Sequence, residues 1–352
     1  MMQKTMNVEP YAWEASSRQI AKVQGLDERH VIRFDMNTSP YLSDVVRERI
    51  GAMGEIPVNE YPSPDYGELL QTVGQYCSVE PSQVVLGAGA DEVIDTIAKS
   101  FLQGGVKNVI STPTYSMFHV CSQTYGAKVE SVQRTADFAL DVDALAEASK
   151  DAALLWICNP NSPTGNAEPV EKIRELLEKI KCNLVVDEAY GEFGGQSALP
   201  LIERFDQLVM VRTLSKAFGL AGARVGYAVT NNETAARLNS VRLPNSISSF
   251  SAELAVTALS PAGIAQMKDN VARIAAERKR VQKALGKKFK TYPSVANFLL
   301  VDLGDYVEET VNALLQKGLV VRNLSEKPQT RGCIRITVRS REENDQLLEA
   351  LA

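Results

Sequence analysis

Six short runs, nearly all apolar, constrain the fold more than any other feature of this chain. They are Val84–Leu86, Asn108–Ser111, Ala153–Cys158, Leu184–Val186, Leu208–Val211 and Gly226–Val229. Each is too short for a helix, and most close on residues that break or redirect the backbone, such as Gly87, Thr112-Pro113 and Asn159-Pro160. Between them lie helical patterns: Ile94, Ile97, Ala98 and Phe101 after the first run, and Ile173, Leu176, Leu177 and Ile180 on one face of 169–181. Strands that are apolar throughout are buried on both faces, the property of a parallel sheet covered by helices. The chain therefore reads as α/β, with a mostly parallel, doubly wound sheet in a large domain.

Beyond about residue 243 the pattern changes. Residues 263–288 form one long helical stretch whose Arg273, Arg278, Lys279 and Arg280 read as a solvated face. Shorter segments follow: Asn297–Val301, a helix near 305–317, Leu319–Val321, Ile334–Val338 and a last helix, which together predict a smaller α+β domain. The expected division is an N-terminal arm over 1–33, packed on the small domain or on a partner subunit, a large domain over 34–243 and a small one over 244–352.

Composition narrows the function classes. With 38 Lys+Arg against 43 Asp+Glu the net charge is −5, and no concentrated basic footprint for nucleic acid is visible. Two histidines, His30 and His119, leave no His-rich metal site, so no metal is expected. The five cysteines are dispersed without a C-x-x-C pair and read as packing residues of a reducing compartment. No stretch approaches the ~18–20 apolar residues of a membrane helix. The expectation is a soluble cytoplasmic protein without membrane partners.

Ligands of open parallel sheets bind beyond the carboxyl ends of the strands. There the sequence places Asp187-Glu-Ala-Tyr190 after one run and Arg212-Thr-Leu-Ser-Lys216 after the next, with Arg224 eight residues further on. A Gly-rich turn, Gly87-Ala-Gly89-Ala90-Asp91-Glu92, leads from the first run into a helix. A helix N-terminus among small residues takes phosphate through free N–H groups, and Thr213, Ser215 and Arg224 would complete that cup. Lys216 is placed to form a Schiff base, and an ionised Asp187 to keep a ring nitrogen protonated. A carboxylate, a lysine, an arginine and a phosphate-binding turn together call for pyridoxal 5'-phosphate. As a dinucleotide fingerprint the same turn is weak, because Glu92 stands where the third glycine belongs.

Taken in order, Gly89-Ala-Asp-Glu92, Pro113-Thr-Tyr115, Pro160-Asn-Ser-Pro-Thr-Gly165, Asp187-Glu-Ala-Tyr190, Thr213-Leu-Ser-Lys216-Ala-Phe-Gly and Arg335-Ile-Thr337 resemble the motifs of class II, fold-type-I aminotransferases, most of all the histidinol-phosphate aminotransferases. The resemblance runs from about residue 34 to the end. It implies ping-pong transamination between a small amino donor, histidinol phosphate, and 2-oxoglutarate, through a Lys216 aldimine. It implies Lys216 as proton carrier, Asp187 at the pyridinium nitrogen, Tyr190 at the ring oxygen and Tyr115 stacked on the ring. It places the backbone of Ala90, Asp91 and Glu92 at the phosphate, and Tyr61 reaching the site of the partner in a homodimer. Arg335 would take a substrate carboxylate, Arg322 with Tyr11 a substrate phosphate, and Asn37 would line the substrate site. The family's Asn-Glu-Asn-Pro is here Asn37-Thr-Ser-Pro40, which removes a carboxylate near the substrate's distal end. Its Asn-Asn-Pro-Thr-Gly is here Asn161-Ser162-Pro-Thr-Gly165, so the ring-oxygen contact passes to Asn161, a water or Tyr190. An aromatic-amino-acid aminotransferase, a threonine-phosphate-decarboxylase-like lyase and a non-catalytic relative are the alternative readings.

Overall fold

The computed structural model describes Val8 and residues 14–352. Strand β1 (Ile32–Arg33) is followed by β2 (Val84–Gly87), β3 (Lys107–Thr112), β4 (Lys128–Gln133), β5 (Ala152–Cys158), β6 (Asn183–Asp187), β7 (Leu208–Thr213) and β8 (Gly226–Val229). From β2 to β8 these strands make one seven-stranded sheet in the order β2-β8-β7-β6-β5-β3-β4. Only β8 runs against its neighbours; β7, β6, β5, β3 and β4 are mutually parallel. The six strands expected from apolar runs all form.

Alternation along each strand divides the core. Leu155 and Ile157 belong to one buried layer, whereas Leu154, Trp156 and Cys158 of the same strand belong to the other. Helix Ala90–Phe101 covers the second layer through Val93, Ile94, Ile97 and Ala98, and helix Val170–Lys179 covers the first through Ile173, Leu176 and Leu177. Burial on both faces is the reason the strands read as unbroken apolar runs. The exception is β4, Lys-Val-Glu-Ser-Val-Gln, which lies at the sheet edge with four of its six residues exposed. No apolar run marks it, because only Val129 and Val132 are half-buried, one on each core layer, among exposed polar residues.

A second sheet follows, formed by β9 (Lys290–Thr291), β10 (Phe298–Asp302), β12 (Arg322–Asn323) and β13 (Cys333–Thr337) in the order β12-β13-β10-β9, all antiparallel. The short strand β11 (Leu319–Val320) pairs instead with β1, in parallel. The N-terminal part of the chain is thereby tied to the C-terminal part. Ahead of it, helix Ser17–Gln24 starts at a capping box between Ser16 and Gln19 and stops at Gly25, whose φ of 68° suits glycine.

The long helix spans Pro261–Leu285, but its basic face is not uniformly solvated. Arg278 is buried and donates to the carbonyls of Val295 and Ala296 at 2.7 and 2.6 Å. These carbonyls sit in an irregular stretch before β10 and have no strand partner, which is why a long cationic donor is retained inside. All five cysteines are free and buried, and among the described residues no helix is long and apolar enough to cross a membrane.

Candidate active site

The carboxyl ends of the parallel strands carry Gly87 at the end of β2, Pro113-Thr-Tyr115 after β3, Asn159–Gly165 after β5, Asp187 at the end of β6 and Ser215-Lys216 after β7. Because β8 is antiparallel, its amino end, preceded by Arg224, falls at the same edge. Topology thus gathers residues 87 to 224 at one rim.

The phosphate-type cup is built from backbone closeness. Helix Ala90–Phe101 begins at Gly89 with no side chain capping its first turn, so its N–H groups stay available. Gly89 has φ of 84°, and a Cβ there would lie 2.3 Å from Arg224 Nη2. At Gly226 a Cβ would lie 2.4 Å from the backbone N of Ala90. Two absent side chains therefore let the helix end and the guanidinium meet. Arg224 donates through Nη1 to Ser215 Oγ at 3.5 Å and pairs through Nη2 with Asp91 at 3.2 Å. Thr213 Oγ1 donates to Ser215 Oγ at 3.0 Å, which fixes both hydroxyls beside the arginine. The other oxygen of Asp91 accepts from Tyr115 O–H at 2.7 Å, anchoring that ring at the rim. Glu92 accepts from the N–H of Ala88 and stabilises the turn.

Asp187 is buried, and among the described residues its carboxylate accepts only from the N–H of Ala189, at 2.8 Å. Burial pushes its carboxyl up to about 7; Ala189 N–H and the Lys216 charge oppose the rise, and Asp91 and Glu188 add to it. No cation among the described residues lies within ion-pair distance, so this carboxylate fits a cationic ring nitrogen. Lys216 Nζ sits 5.6 Å from the centre of the Tyr190 ring and donates to Met36 O at 3.2 Å. Tyr190 O–H accepts from Asn37 Nδ2 at 2.9 Å, and Tyr190 packs edge-on against Phe298. Asn37 is held in turn by Thr337, which accepts from its N–H and donates to its Oδ1, and by Asn297, which donates to its carbonyl. Its φ of 53° is a left-handed conformation that this network secures.

In the loop after β5 the two candidates divide. Both amide hydrogens of Asn161 are used, one on Pro113 O at 3.0 Å and one on Thr164 Oγ1 at 2.7 Å, and its oxygen accepts from Thr114. Asn161 braces the loop and has no donor left for a ring oxygen. Ser162 Oγ accepts from Arg335 Nη1 at 3.2 Å and keeps its own O–H to donate. Arg335 also donates to Asp35 O at 2.6 Å, while its buried Nε has no partner. Burial lowers the guanidinium's affinity for its proton, and no carboxylate among the described residues pairs with it. An incoming anion would satisfy both deficits.

Arg322 stands directly across from Arg335 in the β12–β13 register. Tyr11, its expected companion, lies outside the described residues; Glu14 pairs with Arg322 instead. Sequence reading missed Glu14, which had no motif to mark it. It also missed Thr337 and Asn297 as supports of Asn37, since they lie about 300 and 260 residues away in the chain. Tyr61 is 87% exposed and makes no contact with this cluster among the described residues.

The family model described as "Aminotransferase class I and II" matches residues 29–351. The chain belongs to this aminotransferase family. A histidinol-phosphate aminotransferase of Caldanaerobacter subterraneus subsp. tengcongensis is 38% identical over 325 residues, covering 91% of this chain and 92% of its own. One from Thermococcus gammatolerans is 39% identical over 322 residues, with 91% of each chain covered. Among solved structures, a histidinol-phosphate aminotransferase from Sinorhizobium meliloti in complex with pyridoxal-5'-phosphate superposes with a TM-score of 0.88 at 26% identity. That match covers 100% of this aminotransferase and 98% of the other chain. The large and small sheets described above are thus those of a fold-type-I aminotransferase.

Proposed function

We propose that this aminotransferase moves the amino group of histidinol phosphate to 2-oxoglutarate, using pyridoxal phosphate, in histidine biosynthesis. The observation that carries the reading is a buried Asp187 without a cation, set beside Lys216 and a cup of Arg224, Ser215, Thr213 and a bare helix N-terminus. Pyridoxal phosphate supplies the carbonyl that takes the amino group and a ring that accepts the electrons of the donor's α-carbon. The chain supplies the rest. Arg224, the two hydroxyls and the first-turn N–H groups of Ala90, Asp91 and Glu92 hold the phosphate. Asp187 keeps the ring nitrogen protonated. Tyr190 and Ser162 are the hydroxyls set to meet the ring oxygen, with Asn37 fixing the first. Tyr115 flanks the ring. Lys216 would carry the proton from the donor's α-carbon. Arg335, with its unpartnered Nε, receives the substrate's anion.

The chain is further taken as a cytoplasmic homodimer in which Tyr61 serves the partner's cofactor phosphate, with an arm over 1–33, a large domain over 34–243 and a small domain over 244–352. The identities to named relatives favour histidinol phosphate over an aromatic donor or a decarboxylation.

The test is a visible absorbance spectrum of the purified protein reconstituted with pyridoxal phosphate. A yellow band that bleaches on adding histidinol phosphate or L-glutamate, and far less with phenylalanine, is the expected result. A protein that stays colourless would refute the cofactor, and bleaching strongest with phenylalanine would replace the donor.

A further inference from the structure

Four consecutive residues, Val295 to Phe298, lead from the long helix to Tyr190. The first two offer their carbonyls to Arg278, at 2.7 and 2.6 Å. The third, Asn297, is fully buried and donates from Nδ2 to the carbonyl of Asn37 at 2.9 Å. The fourth, Phe298, packs edge-on against the Tyr190 ring, with 5.1 Å between ring centres. Asn37 closes the path by donating from Nδ2 to the Tyr190 hydroxyl at 2.9 Å. The ring and the hydroxyl of Tyr190 are thus both located from one corner of the chain, and Arg278 holds that corner. Two features along the path are unfavourable in themselves. Arg278 has no carboxylate partner among the described residues, and burial weakens its hold on its proton; a buried guanidinium without an anion is costly. Asn37, at φ of 53°, is a left-handed residue other than glycine, a conformation that costs about 1–3 kcal/mol. It persists because both of its peptide groups are gripped, the N–H by Thr337 Oγ1 at 2.9 Å and the carbonyl by Asn297.

We propose that Arg278 is a positioning residue of the reaction, which through Asn297 and Asn37 keeps the Tyr190 hydroxyl aimed at the ring oxygen of the cofactor. The proposal rests on Tyr190 meeting that oxygen, as in the proposed function. Asn37 donates to the hydroxyl, so the hydroxyl's own proton stays free for the ring oxygen, and a hydroxyl that accepts one hydrogen bond is a better donor of the next. Without Arg278 two buried carbonyls lose their donor, and the corner shifts to find another. Asn297 moves with it and releases the carbonyl of Asn37. Thr337 holds only the N–H of Asn37, so the strained backbone relaxes and its amide turns away from Tyr190. Arg278 therefore acts on the reaction from the far side of the small sheet's first residues, without a contact of its own to the Tyr190 hydroxyl.

The test is a pH titration of the visible band of the pyridoxal-phosphate-loaded protein in the absence of substrate. A donor at the ring oxygen stabilises the anion of that oxygen and lowers the pH at which the band changes. Tyr190→Phe should raise this midpoint by about 1–2 pH units, the worth of a hydrogen bond to a charged group. Arg278→Met, unbranched and without donors, should raise it by roughly 0.5–1 pH unit, the worth of one neutral hydrogen bond. Arg278→Lys, which keeps a donor for one carbonyl, should fall between Arg278→Met and the wild type. Asn297→Ala breaks the same path nearer to Tyr190 and should match Arg278→Met, so it decides the matter if the latter folds poorly. In a Tyr190→Phe background neither substitution should add more than about 0.2 pH unit, because residues acting along one path are not additive. Calorimetry of the cofactor-free variants with inorganic phosphate, which reports the Arg224 cup, should show unchanged affinity. Midpoints left at the wild-type value, a shift undiminished in the Tyr190→Phe background, or phosphate affinity lost in parallel would each overturn the proposal. A shift in Tyr190→Phe with silent Arg278 and Asn297 variants refutes this inference alone. A Tyr190→Phe midpoint equal to that of the wild type refutes the reading of Tyr190 instead.

Discussion

Asp187 shows how one buried residue links folding to function. Its carboxyl is pushed up to about 7, with burial as the main cause, while an exposed aspartate in the unfolded chain loses its proton near pH 4. Between those values the folded cofactor-free protein binds a proton that the unfolded chain does not, so this residue's contribution to stability falls as pH rises from about 4 to 7. Asp187→Asn, which carries no charge, should therefore gain in Tm relative to the wild type across that window in the cofactor-free state. Pyridoxal phosphate, by placing a protonated nitrogen against the carboxylate, should flatten the wild-type slope. Thermal melts of both proteins from pH 4 to 8 measure it, and a pH-independent difference would show that the carboxyl titrates normally. Asp187 was legible in the sequence because a charged residue directly after an apolar strand has few structural reasons to be there, and Lys216 and Arg224 because they cluster with it and the Gly-rich turn at neighbouring strand ends. Glu14, Asn297 and Thr337 were not, because their partners Arg322 and Asn37 are set by tertiary contact at long sequence separation.

At the scale of elements, the packing of helix Ala90–Phe101 against β8 decides whether the phosphate cup exists. The two meet so closely at Gly226 that a Cβ would lie 2.4 Å from Ala90 N and from Gly89 C, both backbone atoms that cannot turn aside. Gly226→Ala should push the helix end off the strand, lowering stability by roughly 1–3 kcal/mol as overpacked cores do. It should also weaken pyridoxal-phosphate binding more than that loss alone accounts for, because Arg224 and the first-turn N–H groups separate. Denaturant melts and equilibrium dialysis separate the two effects, and a variant with wild-type retention of the cofactor would refute this account of the cup. The element pattern was largely readable: β8 forms over the residues expected, and helix Val170–Lys179 lies within the expected 169–181. Where reading failed, the cause was an exposed edge or a local contact. Strand β4 has only two half-buried valines, three residues apart, among exposed polar residues, and Arg278 turns inward to loop carbonyls that no sequence period reveals.

At the scale of the whole molecule, the chain leaves Tyr61 and Val58 exposed at 87% and 78% within one short loop. Isolated exposed apolar residues are ordinary, but a tyrosine with no contact to the site among the described residues is expected to find a partner elsewhere if it has a role at the cofactor. If Tyr61 crosses to the partner's phosphate, each active site needs Lys216 from one subunit and Tyr61 from the other. Two inactive or weakened proteins then suffice to decide. Lys216→Ala lacks the proton carrier and should lose at least ~10²-fold in turnover. Tyr61→Ala keeps the lysine but should hold pyridoxal phosphate more loosely, so that at limiting cofactor its turnover is low. When the two are mixed under conditions that let subunits exchange, the heterodimer contains one site with Lys216 from one chain and Tyr61 from the other, and one site lacking both. Turnover at limiting cofactor should therefore rise above that of either variant alone, with light scattering reporting a dimer throughout. If Tyr61 serves its own chain, no site in the mixture carries both groups and mixing restores nothing. The same absence of rescue with a monomeric mass would show that the site is complete within one chain, and that its exposed loop has no second subunit to serve.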